Sequence, residues 1–233
     1  MKLVYAIVTL AAFGLGTGCV NEQEHKAAVE LQKFFGAQDC RIGHGFSADT
    51  GKGSKKTLTL ELEGISDFYG YKNKEYITSI AALKYFDAQR PEELADYTEI
   101  DVKASSGSSS FEKSYALVDM PTVAPALQTV KTYFELLKED RILDIPGLVE
   151  RAHFDDSTLA VIMNGMQTLD SLYGPQQSAS ILGYKFDHTI DGNEPVVVCW
   201  SESINGDNNA TQFQFYVNRD TQKIIYIGVN DIE

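Results

Sequence analysis

The sequence predicts an α+β fold built from two small units, each with helices packed on an antiparallel sheet. Two prolines, Pro121 and Pro125, interrupt the hydrophobic periodicity near the middle of the chain. Before this break, helical and strand patterns follow in the order α-β-β-α-β-β. After it, helical patterns come first and four strand patterns last, which favours an antiparallel sheet with helices on one face. We therefore expect one unit over residues 19–120 and a second over residues 121–233.

The first unit opens with a helix. Asn21 and Glu24 have the spacing of a capping box at its start. Apolar residues then recur at helical spacing, at Ala27, Leu31 and Phe34. The pattern predicts an amphipathic helix that begins about two residues after position 19.

The rest of the first unit alternates between strands and a helix. Apolar and polar residues alternate at 42–46 and at 58–62, which predicts two strands joined by a glycine-rich turn. A second helix is expected at about residues 74–87. Two more strands follow, and the serine-rich segment 105–110 between them predicts a hairpin tip.

The second unit begins with a helix at about residues 125–139 and a short helical segment around Leu148. Asp156 or Ser157 is expected to cap a third helix, which Gly174 and the proline after it would end. Four strand patterns close the chain, at 182–188, 196–200, 213–217 and 224–229. The second of these is nearly continuous in apolar residues, as is typical of a central strand.

Residues 1–18 have the pattern of a secretory signal peptide. Lys2 is followed by an apolar stretch at 3–15 and then by small residues. The motif Gly16-Thr17-Gly18-Cys19 resembles the lipobox of bacterial lipoproteins. This resemblance implies that Cys19 becomes the first residue of the mature chain and carries a lipid anchor.

Other processing routes remain open for this segment. Gly16 stands where a lipobox usually has Leu, Val or Ile, and the small residues before Cys19 also suit ordinary signal peptidase. A signal anchor is a further alternative, although the apolar stretch is shorter than the roughly 20 residues that span a membrane. Val20 replaces the Asp that retains enterobacterial lipoproteins in the inner membrane, which favours the outer membrane.

The chain is strongly acidic. It contains 33 Asp and Glu against 20 Lys and Arg, for a formal net charge of −13. A surface of this charge repels nucleic-acid phosphates and anionic lipid head groups, so we do not expect a nucleic-acid partner.

Besides Cys19, the chain has two cysteines, Cys40 and Cys199. In an oxidising compartment the two can pair, which would join the two predicted units. Alternatively, each is a small buried side chain with a free thiol.

No motif in the sequence predicts a catalytic, cofactor-binding or metal site. Residues 43–48 spell G-x-G-x-x-A, but they lie on a predicted strand instead of opening a helix. Segments 187–192 and 205–209 have calcium-like spacing without the bidentate Glu that such loops require. The four histidines show no zinc-ligand spacing.

Two histidines alternate with apolar neighbours on predicted strands: His44 and His188. Each can line a pocket as an acid or base, or can be a hydrogen-bonded structural residue. We expect the structural role for both and retain His188 as the candidate pocket residue.

The second half resembles small secreted cystatin-like domains, related to nuclear transport factor two, that occur in bacterial lipoproteins of unknown function. The resemblance lies in the order helix, short helix, helix, four strands, and in the ending Lys223-Ile224-Ile225-Tyr226-Ile227-Gly228. It implies a cystatin-like fold for this unit and a non-catalytic role in binding or as a scaffold.

Taken together, these features predict an exported, membrane-tethered lipoprotein of the bacterial cell envelope. We expect a non-catalytic module that binds an envelope protein or a small ligand and needs no cofactor. One alternative is an enzyme that uses His188 in a small-molecule pocket of the second unit. Another is a purely structural assembly protein.

Overall fold

The computed structural model of the protein describes residues 21–49, 53–189, 192–206 and 208–230. The predicted signal peptide at 1–18 and the predicted lipidation site Cys19 lie outside this part of the chain. None of the helices within the described ranges is both long enough and apolar enough to span a membrane.

The first half of the chain forms a four-stranded sheet with strand order β1-β2-β3-β4. Its elements are α1 (Glu22–Phe35), β1 (Asp39–Asp49), β2 (Gly53–Glu63), α2 (Glu75–Ala88), the short α3 (Pro91–Leu94), β3 (Glu99–Ser106) and β4 (Ser109–Ala116). The predicted order α-β-β-α-β-β is confirmed, with α3 as an addition. The serine-rich segment contains the β3–β4 turn, where Gly107 has a φ of 57°.

The prediction of a purely antiparallel first sheet is wrong. Strands β2 and β3 pair in parallel, whereas β1–β2 and β3–β4 are antiparallel. The cause lies in the connection between the two central strands. Helices α2 and α3 carry the chain back to the end of the sheet where β2 began, as a parallel pairing requires.

The capping box predicted for α1 is present. The Asn21 backbone N–H donates to Oε2 of Glu24 (3.0 Å), and the Glu24 N–H donates to Oδ1 of Asn21 (2.8 Å). Gly36 ends the helix in the left-handed conformation, with a φ of 58°. The first residue of the described chain is therefore held firmly at the start of α1.

The second half forms an antiparallel meander with strand order β5-β6-β7-β8, as predicted. Its elements are a 3₁₀ turn (Met120–Thr122), α4 (Val123–Lys138), a second 3₁₀ segment (Ile142–Gly147), α5 (Asp156–Tyr173), β5 (Gln176–His188), β6 (Pro195–Asn205), β7 (Ala210–Asn218) and β8 (Ile224–Asn230). The cap of α5 is Asp155, one residue before the predicted candidates.

Strand β6 is buried on both faces, which explains its continuous apolar pattern. Val197 and Cys199 belong to the main core, whereas Val196, Val198 and Trp200 form a smaller cluster on the opposite face. Neighbouring strands on both sides complete its hydrogen bonds. It is therefore a central strand, as predicted.

Helix α2 packs against β3, β4 and β5 and thereby joins the two halves. The Tyr184 backbone N–H on β5 donates to Oγ of Ser79 on α2 over 3.1 Å in a buried contact. Met120 and Val123, at the predicted boundary, are both 0% exposed. The two sheets consequently share one continuous hydrophobic core instead of being separated by an exposed linker.

Candidate functional site

A buried polar cluster of the first half is centred on the carboxylate of Glu24. This side chain projects from the first turn of α1 and is 6% exposed. Its Oε1 lies 3.2 Å from Nε2 of His44 on β1 and accepts a bond from the Tyr85 hydroxyl of α2 over 3.5 Å. Because Oε2 closes the capping box with Asn21, both carboxylate oxygens are engaged.

His44 lies on the core-facing side of the edge strand β1, opposite Leu58 of β2. Its side chain is 34% exposed. The second ring nitrogen, Nδ1, lies 2.6 Å from the hydroxyl of Tyr97, which precedes β3. In the tautomer protonated at Nε2, His44 donates to Glu24 and accepts from Tyr97. The structural role expected for His44 therefore agrees with its geometry.

The pKa values of Tyr85 and Tyr97 are both raised, mainly because the hydroxyls are partly buried and secondly because the negative charge of Glu24 lies nearby. At neutral pH the two hydroxyls remain protonated and act as hydrogen-bond donors. This favours a structural role for the cluster formed by Glu24, His44, Tyr85 and Tyr97, in which its hydrogen bonds join α1, β1 and α2. A catalytic tyrosinate would instead need a lowered pKa.

Tyr97 also lines a cleft of about 630 Å³ between the end of α2, α3 and the turn after β4. We call it the Gln89 cleft, and its lining includes Phe86, Gln89, Leu94, Tyr97, Leu117 and Val118. The Nε2 atom of Gln89 is buried and has no hydrogen-bond partner among the described residues. The cleft therefore has mainly apolar walls, whereas the unpartnered nitrogen of Gln89 is buried out of reach of solvent.

A second cleft of about 600 Å³ lies beside the first turn of α1. It is lined by polar and charged residues, including Gln23, Lys26, Arg90 and Glu93. Lys26 pairs with Glu22, and Arg90 pairs with Glu93. Both cations of this α1 cleft are therefore already paired, and Glu30 adds a further negative charge, so the cleft has less to offer an anionic ligand.

Cys40 and Cys199 are both free thiols in the structure. Cys40 is half-buried on β1. Its burial, and to a smaller extent the negative charge of Asp39, raise its pKa to about 11. Cys199 is fully buried on β6 in the other sheet, and burial raises its pKa as well. Of the two alternatives, a disulfide between Cys40 and Cys199 or two separate thiols, the structure contains the separate thiols.

The candidate pocket residue His188 lies exposed at the end of β5. Its backbone N–H donates to Oδ1 of Asp187 (2.9 Å), and Asp187 also pairs with Lys185 (2.6 Å). It lines neither of the two large clefts. The loops with calcium-like spacing include residues 190, 191 and 207, which lie outside the described ranges.

Sequence patterns did not single out Tyr85, Gln89 or Tyr97. One signal was present for the buried cluster, because Glu24 precedes Ala27 and Leu31 on the same stripe of α1. A carboxylate on a buried helical stripe indicates a polar partner in the core. Gln89 carries no such signal, since it lies at the end of α2 where periodicity stops.

Within the described ranges, no cluster of three or more His, Cys, Asp or Glu side chains is arranged to hold a metal ion. The fold and clefts define an α+β protein with two sheets on one core. Comparison with known protein families, curated proteins and solved structures yields no match for the chain.

Proposed function

We propose that the protein is an exported lipoprotein of the bacterial cell envelope, tethered through lipid on Cys19, whose folded body is a non-catalytic binding module. The lipobox-like motif at 16–19, behind a charged and then apolar N-terminus, supports the tether. The outer membrane is the favoured location because Val20 follows Cys19.

The observation that carries this proposal is the lipobox-like motif at 16–19, and the short chain after it determines how far the folded body lies from the tether. Only Val20 lies between Cys19 and the capping residue Asn21. Two residues beyond Cys19 span at most about 7 Å. A lipid on Cys19 would therefore hold the first turn of α1 close to the bilayer surface.

Binding is favoured over catalysis by the chemistry of the clefts. The ionisable cluster at Glu24 is internally satisfied, and its tyrosines have raised pKa values. The Gln89 cleft has the volume of typical small-molecule sites, which is about 300–1,000 Å³. We infer that this cleft, and not a reactive side chain, is the functional feature of the body.

A cystatin-like second unit is part of the same proposal. The order α4, 3₁₀ segment, α5 and a four-stranded meander follows the order expected of such domains. Cystatin-like domains in lipoproteins serve as binding or scaffold modules, which agrees with the role proposed for the body.

Subcellular fractionation of cells that express the full chain tests the tether. We expect the wild-type protein and a Cys40→Ser control in the membrane fraction, solubilised by detergent and not by high salt. A Cys19→Ser variant should lose the lipid. Equal incorporation of a labelled fatty acid into wild type and Cys19→Ser would overturn the proposal.

A further inference from the structure

Strand β8 forms one edge of the second sheet, and only the start of this edge is paired. The Ile224 N–H donates to the carbonyl of Leu148 (2.9 Å), and the Glu150 N–H donates to the carbonyl of Ile224 (2.8 Å). Both backbone groups of Ile224 are therefore directed away from β7. Its partner on β7, Val217, consequently directs its own backbone groups towards β6.

The same alternation leaves unpaired backbone groups further along β8. Strand β7 keeps a regular register with β6, so Phe215 and Phe213 direct their backbone groups towards β6, as Val217 does. Ile227 and Val229 lie opposite these two residues on β8, beyond the register irregularity of that strand. Their N–H and C=O groups therefore point outwards from the sheet, where no described residue pairs with them.

This edge also lacks the side chains that usually keep sheet edges apart. No residue of β8 is charged, and none is a proline. Tyr226 and Val229 are 52% and 54% exposed. The edge strands β1, β4 and β5 all carry charges, including Arg41, Lys113 and Asp187 respectively. Strand β8 is thus the edge that best accepts a further uncharged strand.

The outward groups of β8 match those of a second copy of the same strand. In a hydrogen-bonded antiparallel pair, two opposite residues exchange both of their backbone bonds. With Gly228 on a two-fold axis, Ile227 of each copy lies opposite Val229 of the other, and every outward group of these residues finds a partner. The two Gly228 residues then face each other at the close, non-hydrogen-bonded position, where the absence of a side chain allows the approach.

We propose that the protein forms a two-fold dimer in which the two β8 strands pair antiparallel across Gly228. The pairing joins the two four-stranded second sheets into one continuous sheet. The interface is self-complementary, as a two-fold dimer requires. This proposal goes beyond the proposed function and does not depend on a lipid at Cys19, because the edge belongs to the folded body.

Single cysteines test the register of the pair. The two Gly228 Cα atoms would lie about 4.5 Å apart, within the range of a disulfide. The two Tyr226 Cα atoms would be offset by four residues and lie about 14 Å apart, beyond that range. An added side chain at Gly228 meets only the ring of its own Tyr226, 3.1 Å from Cε1, and this ring can turn aside.

Oxidation of the full chain with copper phenanthroline should link most of Gly228→Cys into a disulfide-bonded dimer on a non-reducing gel. Tyr226→Cys, on the same exposed face, should stay monomeric. The wild-type chain, which contains Cys40 and Cys199, controls for the native thiols. Equal linkage of the two variants, or none in Gly228→Cys, would overturn the proposed register.

Sedimentation equilibrium in detergent of matched density measures the dimer without a cross-link. Val229→Pro removes an N–H that the monomer does not use and that the dimer uses once in each copy. Its dimer dissociation constant should rise at least about tenfold, whereas Val229→Thr, which keeps the N–H, should stay within about threefold of wild type. A wild-type chain that remains monomeric, even where another protein occupies the edge, or a dimer that Val229→Pro leaves unchanged, would contradict the proposal.

Discussion

The Nε2 atom of His44 lies 3.2 Å from Oε1 of Glu24, which joins the edge strand β1 to the first turn of α1. Glu24→Ala removes this contact, opens the capping box and leaves Tyr85 without its acceptor. We expect a loss of about 2–4 kcal/mol in the free energy of unfolding, measured by urea denaturation.

Glu30→Ala is the matched control, because Glu30 lies exposed on the same helix. It should change the free energy of unfolding by no more than about 0.5 kcal/mol. Equal effects of the two substitutions would show that the Glu24 cluster contributes nothing specific to the fold.

The contact between α2 and β5 depends on a glycine. A Cβ at Gly183 would lie 2.9 Å from Cα of Tyr76 and 2.7 Å from Oγ of Ser79. Because the Tyr76 atom belongs to the backbone, this clash can be relieved only if α2 moves away from β5. Gly183→Ala should lower the free energy of unfolding by about 1–3 kcal/mol.

Gly165→Ala provides the opposite case. A Cβ at this position within α5 meets no atom within 4 Å. Because alanine favours a helix interior over glycine, this variant should gain about 0.5–1 kcal/mol in the same denaturation experiment. A stabilising Gly183→Ala would show that the two halves do not pack as closely as the structure indicates.

The cap of α5 makes stability depend on pH. The pKa of Asp155 lies below its ordinary value of 3.8 because its carboxylate accepts hydrogen bonds. The largest contribution comes from the Thr158 backbone N–H, and smaller ones come from the side chains of Thr158 and Ser157. Its stabilising effect is therefore present above that value and is lost as the pH falls through the lower folded-state pKa.

Asp155→Asn keeps a capping oxygen that does not titrate. We expect the melting temperatures of variant and wild type to differ by a constant amount above about pH 5. Between there and about pH 2 the difference should shift in favour of the variant. A constant difference over the whole range would show that the Asp155 carboxylate is not bound at the cap.

Thiol counting distinguishes the two cysteine alternatives. Because burial raises the pKa of Cys40 to about 11 and that of Cys199 as well, neither should react rapidly with Ellman's reagent in the folded protein at pH 8. Denaturation without reductant should release two thiols, one from each residue. A count of zero would indicate a disulfide, and a count of three would indicate an unmodified Cys19.

Much of the fold follows from periodicity in the sequence. Leu58, Leu60 and Leu62 alternate with polar residues and are buried, as a half-buried strand requires. The alternation is the same for parallel and antiparallel pairs, however, and the parallel register of β2 and β3 therefore had no local signal. It follows from how α2 and α3 direct the chain in three dimensions.

The candidate site was less predictable because its contacts join distant segments. His44 and Tyr97 are 53 positions apart, and Tyr97 lies in a connection without periodicity. Gln89 is identified only by its burial and by the lack of a partner for its nitrogen within the described part of the chain, which are properties of the folded protein. The four-residue motif that ends at Cys19, by contrast, is read from sequence alone.

The central claim is that lipid on Cys19 anchors this binding module to the cell envelope. The most direct measurement is the mass of the N-terminal peptide of the protein isolated from the membranes of its native cells. We predict a peptide that begins at Cys19 and carries the added mass of a lipid. An N-terminus at Met1, or an unmodified Cys19 on a protein recovered in the soluble fraction, would contradict the account.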